Sequence, residues 1–153
     1  FVNAIVSDVS NTFKVAGEFI GAIGKFSLQG EYFYVQADRK NDLKKYKAWG
    51  TYGQIGFLAI GDAYEYATSW ARLELPKPGS LELAARYSCL DLNDEDADIL
   101  GGQQQQLTVG CNYYWKKFIR LRLNYNYAHL DKHALNGKEN FNFISARIQV
   151  FIN

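Results

Sequence analysis

Five cationic side chains carry the chemistry this sequence offers: Lys14, Arg86, Arg120, Arg122 and Arg147. Arg120 and Arg122 lie two residues apart in FIRLRLNYNYAH, Phe118 to His129. There Ile119, Leu121, Leu123, Tyr125 and Tyr127 alternate with Arg120, Arg122, Asn124 and Asn126. Side chains alternate across a strand with period two, so both arginines fall on one polar face. Arg147 takes that face of the following strand, Arg86 comes from an earlier one and Lys14 from the first. A ladder of guanidinium groups on one wall attracts phosphate, because arginine offers forked donors and a permanent charge. The competing assignment pairs these cations with Glu18, Glu31 and Glu82 as ordinary wall charges. Both assignments stay open at this point.

The elements that must hold these residues are two-faced strands. In LELAARYSCLDLND, Leu81, Leu83, Ala85, Tyr87 and Cys89 oppose Glu82, Ala84, Arg86 and Ser88. From Gln105 to Trp115, Leu107, Val109, Cys111, Tyr113 and Trp115 oppose Thr108, Gly110, Asn112 and Tyr114. Phe13 to Ile23 sets Phe13, Val15, Phe19 and Ile23 against Lys14 and Glu18. Phe26 to Arg39 sets Phe26, Leu28, Tyr32 and Tyr34 against Ser27, Gln29 and Glu31. Trp49 to Ile60 is a strand interrupted by glycines, which mark bends or close backbone approach. Phe141 to Ile152 closes the series, with Ile144, Ala146, Ile148 and Val150 outward and Ser145, Arg147 and Gln149 inward.

Seven strands of about 10–12 residues result, near the length of a tilted membrane strand. Gly24-Lys25 and Lys116-Lys117 are expected as tight turns; residues 39–47, 91–103 and 130–140 are expected as long loops. Short turns at one end and long loops at the other is the layout of an outer-membrane barrel. Gly61 to Ser80 breaks the alternation. AYEYATSWARL predicts a short helix capped by Asp62 and ended by Pro76 and Pro78.

Composition allows either a membrane barrel or a soluble sandwich. The chain has 153 residues, 48% hydrophobic and 16% aromatic, and a net charge of +1. No apolar run reaches the roughly 18 residues of a membrane helix. The charge balance argues against nucleic acid as a partner. Tyr113 and Trp115 near one end, and Tyr87, Tyr125 and Tyr127 near the other, are expected as two interfacial belts. With the loop centred near Ile99, Cys89 would pair with Leu107 or Val109. Cys111 then lies about 7–13 Å further along at ~3.4 Å per residue. That disfavours a disulfide, which needs Cα atoms within about 7 Å, and predicts two lipid-facing thiols.

LELAARYSCLDLND, Gly101-Gly102 and LTVGCNYYW, with FSLQGEYFY (Phe26–Tyr34) and FISARIQVF (Phe143–Phe151), resemble the C-terminal part of the phosphate-selective porin O/P family of Gram-negative outer membranes. The order of the blocks carries the resemblance. It implies an all-β antiparallel transmembrane barrel, a homotrimer, contact with outer-membrane lipid and lipopolysaccharide, and uptake of small anions. It also implies about sixteen strands, an even number like other bacterial single-chain barrels. Residues 1–153, which open with FVNAIVSDVSN and no signal peptide, are expected to be the C-terminal portion of that single domain. The remaining N-terminal strands are its expected partners.

The acidic run Asp91 to Asp98 is not an EF-hand, since Asp96 and Gly102 stand where glycine and glutamate are needed. No nucleophile–base set, phosphate-binding glycine loop or CxxC occurs, so no enzyme activity, cofactor or metal is expected. The expected function is a porin passing small anions, phosphate or polyphosphate, by passive diffusion. The rivals are a structural or docking barrel without an open pore, and a soluble sandwich with a binding face.

Overall fold

The computed structural model describes residues 1–150. Phe151 and Ile152, which the sequence adds to the final strand, lie outside the described residues. Seven strands form one antiparallel sheet: β1 (Val9–Ile23), β2 (Phe26–Arg39), β3 (Tyr46–Ile60), β6 (Leu81–Asp94), β7 (Ile99–Lys116), β8 (Ile119–Leu130) and β9 (Glu139–Val150). The sheet order is β1-β2-β3-β6-β7-β8-β9, and β4 (Tyr66–Ala67) pairs only with β5 (Arg72–Leu73). Among the described residues β1 and β9 are both edges, so the sheet is open.

Strand identity follows from the alternation, but the strands run longer than expected, 12 to 18 residues. The difference is largest after Asp91. The expected loop 91–103 is a paired hairpin, with Asp91 opposite Gln103, Asn93 opposite Leu100 and Asp94 opposite Ile99. A bulge absorbs the extra residue. Gly102 sits there at φ +91°, and a Cβ on it would press on the Ala134 backbone. The polar side chains that suggest a loop instead satisfy the hairpin: Asp94 accepts from the Lys47 and Ala97 amides. The hairpin also moves the register. Cys89 faces Gln105, not Leu107 or Val109, and Cys111 faces Leu83. The six-residue offset corresponds to about 20 Å. Both cysteines are free.

Two further expectations are corrected. The turn expected at Lys116-Lys117 falls one residue later, at 117–118, because Lys116 still pairs with Ile119 across a register shift. Residues 61–80 hold no helix capped by Asp62. They form the β4–β5 hairpin around a single 3₁₀ turn, Thr68–Trp70, whose N-cap is Ala67 with no side-chain bond. Alternating tyrosines and the two prolines favour extended backbone here. The Asp62 carboxylate instead lies 3.5 Å from Lys77 Nζ.

The outward face is apolar and exposed: Phe19, Ile55, Leu123 and Ile148 are 52, 58, 51 and 73% accessible. No second layer covers it among the described residues. A face of this size left in water would be an association surface; against acyl chains it is the expected exterior of a barrel wall. Phe26 packs on Phe57 at the tight-turn end, and Tyr32 stacks near Trp49 toward the loop end. One buried cluster sits at the loop end, where Ala37, Tyr46, Ala48 and Ala97 pack with Ala4 and Val6; Leu58, Glu82 and Tyr114 are buried toward the tight turns. Residues 1–8 reach that cluster by running across the hairpins: Asn3 N–H donates to Gly101 O at 2.8 Å, and Leu135 N–H to Phe1 O at 3.0 Å.

Candidate anion-binding face

Strand register sets the inward side chains in rows across the sheet. One row is Leu58, Glu82, Asn112, Arg122 and Arg147. The next row toward the tight turns holds Tyr114, Arg120 and Gln149. Two rows toward the loops lie Gln54, Arg86, Thr108, Asn126 and Phe143. The row between is small: Gly56, Ala84, Gly110, Asn124 and Ser145. That small row opens a cleft of about 200 Å³ with Arg86 and Arg122 on its wall, beside Gln54, Thr108, Asn112 and Asn124.

Four of the five cations gather around this cleft. Arg122 and Arg147 are direct cross-strand neighbours. Arg120 donates through Nη2 to Gln149 Oε1 at 2.6 Å and lies 5.7 Å from the centre of the Tyr114 ring. Arg86 stacks 3.7 Å over the Tyr52 ring. Stacking fixes the guanidinium plane while leaving its edge donors for a ligand. Lys14 shares the inward face but stands apart, opposite Val35 on β2 and nearer the loops.

Carboxylates do not neutralise the cluster in the way that simple pairing requires. Glu18 and Glu31 face each other across β1 and β2. Glu82 is buried at 8% exposure and is bound by neutral donors: Tyr64 Oη at 2.5 Å, Asn112 Nδ2 at 2.8 Å and Tyr114 Oη at 2.9 Å. Among the described residues no ion pair reaches Arg86, Arg122 or Arg147, and the buried Arg122 Nε has no acceptor. The face therefore offers donors without matched acceptors, the arrangement that receives an anion.

The profile of the family described as phosphate-selective porin O and P matches residues 3–152. The chain belongs to this family. It is 26% identical to Porin O of Pseudomonas aeruginosa over 125 residues, covering 72% of this chain and 28% of that protein. It is 32% identical over 90 residues to an uncharacterized protein of Caulobacter vibrioides, covering 54% of this chain and 17% of that one. The chain thus spans under a third of the curated relatives it matches. Porins of this family are bacterial outer-membrane channels and not enzymes.

For a porin wall, the inward partners matter as much as the arginines. Tyr114 and Asn112 share the parity of Arg86 and could be read off β7 by alternation. Phe143 and Phe141 are inward by the same count, with ring centres 6.2 Å apart. Tyr64 had no sequence signal, because it arrives from the non-alternating segment 61–80. The acidic run Asp91–Asp98 lies on the loop-end hairpin, remote from the cleft; His133 bonds Asp131 through its backbone amide at 3.0 Å.

Proposed function

We propose that residues 1–153 form the last seven strands of a single outer-membrane barrel of about sixteen strands, which passes small anions by passive diffusion. Phosphate and polyphosphate are the intended cargo, held transiently at Arg86, Arg122, Arg147 and Arg120. Lys14 adds positive potential nearer the mouth. The observation that carries this proposal is the cleft between Arg86 and Arg122, whose guanidinium groups have no carboxylate partner among the described residues. The family match supports a porin, and the open edges β1 and β9 are where the remaining N-terminal strands would pair, since a bilayer leaves no edge unpaired. A homotrimer contacting lipid and lipopolysaccharide completes the proposed assembly.

Single-channel conductance of the full-length parent in planar bilayers is the test. Chloride current blocked by micromolar-to-millimolar phosphate supports the proposal. Open channels without phosphate block retire the arginine cluster and leave a general porin. Residues 1–8 and 61–80 both fold against the sheet ends, the observation behind the second candidate, a docking barrel with a closed lumen. Absence of channels from folded, inserted protein selects that one.

A further inference from the structure

We propose that Tyr64 sets the anion selectivity of the pore by holding Glu82 away from Arg122. This rests on the porin function proposed above. Glu82 and Arg122 occupy the same inward row with only Asn112 between them. Two strand spacings are about 10 Å between backbones, a gap that a glutamate and an arginine reaching toward each other can close. A carboxylate within reach of a guanidinium lacking an acceptor pairs with it, because charge-assisted hydrogen bonds are the strongest available. Here it does not. Both Glu82 oxygens are taken, Oε1 by Tyr64 and Oε2 by Asn112 and Tyr114.

Of the three donors, Tyr64 alone comes from outside the sheet. Segment 61–80 delivers it, and backbone bonds anchor that segment at both ends. Tyr64 N–H donates to Gly24 O at 2.9 Å, Gly79 N–H to Tyr114 O at 2.6 Å, and Tyr114 N–H to Ser80 O at 3.0 Å. Gly56 makes the room: a Cβ there would collide with Ser27 Oγ and Tyr64 Oη. Burial first, and the Glu82 carboxylate second, push the Tyr64 phenol well above its ordinary pKa, so it stays a donor. The negative charge is thereby held beside Gly56, between Tyr64 and Asn112, and Arg122 keeps its charge for the cleft.

Removing the Tyr64 hydroxyl releases Oε1, and Glu82 swings onto Arg122. The test is reversal potential under a KCl gradient, with the full-length parent in planar bilayers. Tyr64→Phe lowers the chloride-over-potassium permeability ratio by about twofold or more, the scale of one wall ion pair. Glu82→Gln raises the ratio. The double variant behaves as Glu82→Gln alone, since no carboxylate remains to be released. An unchanged ratio in Tyr64→Phe overturns the inference. So does a double variant as low as Tyr64→Phe, which would mean that the loss came from loosening segment 61–80. If Arg122→Ala with Arg147→Ala leaves wild-type selectivity untouched, the porin proposal itself fails at this cluster, whatever Tyr64 does.

Discussion

Arg122 and Arg147 stand directly opposite each other across β8 and β9, two like charges in one inward row. Like charges placed opposite on a sheet destabilise it, a cost that an anion held between them, as proposed, would offset. Replacing both with alanine should weaken phosphate block of the full-length channel about a hundredfold, from roughly 1.5 kcal/mol per lost charge-assisted hydrogen bond and one such bond per arginine. Lysine at both positions should keep anion preference but recover little of the block, because a point charge lacks the guanidinium fork. Block curves for the three proteins decide this; full recovery by lysine would mean that charge alone matters.

The two faces of β8 and β9 make opposite predictions for the same new residue. Leu123 and Ile148 point outward, while Asn124 and Ser145 are paired inward neighbours. Arginine at Leu123 or Ile148 should cost roughly 2–4 kcal/mol if the face meets mid-bilayer lipid. Arginine at Asn124 or Ser145 should be tolerated. Denaturant unfolding from liposomes measures the difference. Equal costs on both faces would contradict a lipid-facing exterior.

Gly56 supplies a third prediction. Gly56→Val places branched carbons against Ser27 and Tyr64, where even one Cβ collides. β3 is paired along both sides, with β2 and β6; segment 61–80 is held by the Tyr64–Glu82 bond, a few turn-end bonds and exposed ion pairs such as Lys77 with Glu65 at 3.4 Å. Segment 61–80 should therefore yield first. Trypsin cleavage after Arg72 should speed up severalfold while heat-modifiable gel mobility of the barrel stays normal.

Alternation disclosed which face each arginine takes, because a strand's period of two needs only local sequence. It could not disclose Tyr64, since its target, Glu82, lies 18 residues on and no periodicity links them. It also misjudged Asp91 to Gly102. Asp, Asn and Gly are turn formers by propensity, yet Asp94, Asn93 and Asp91 spend their side chains on amides of a paired hairpin, including Asn93 Oδ1 accepting from Gly102 N–H at 2.9 Å. Propensity lost to pairing there, and the cysteine register moved with it.

Asp131 ties the loop after β8 to that same hairpin. Its carboxylate accepts from Asn93 Nδ2 at 2.8 Å and from the His133 amide at 3.0 Å. Burial pushes its pKa up, but the bonds from Gln103, Asn93 and His133 outweigh burial and hold it below the ordinary value of 3.8. A depressed folded pKa means the stabilisation is fully present above 3.8 and is lost as pH falls through the lower folded value. Amide exchange across residues 93–103, corrected for intrinsic rates, should thus be flat from pH 6 to 5. It should then accelerate roughly fivefold once pH falls well below 3.8, the equivalent of about 1 kcal/mol from lost hydrogen bonds. Asp131→Asn should show the faster exchange at every pH and no acid step. An acid step that persists in Asp131→Asn would assign it to Asp91 or Asp94 instead.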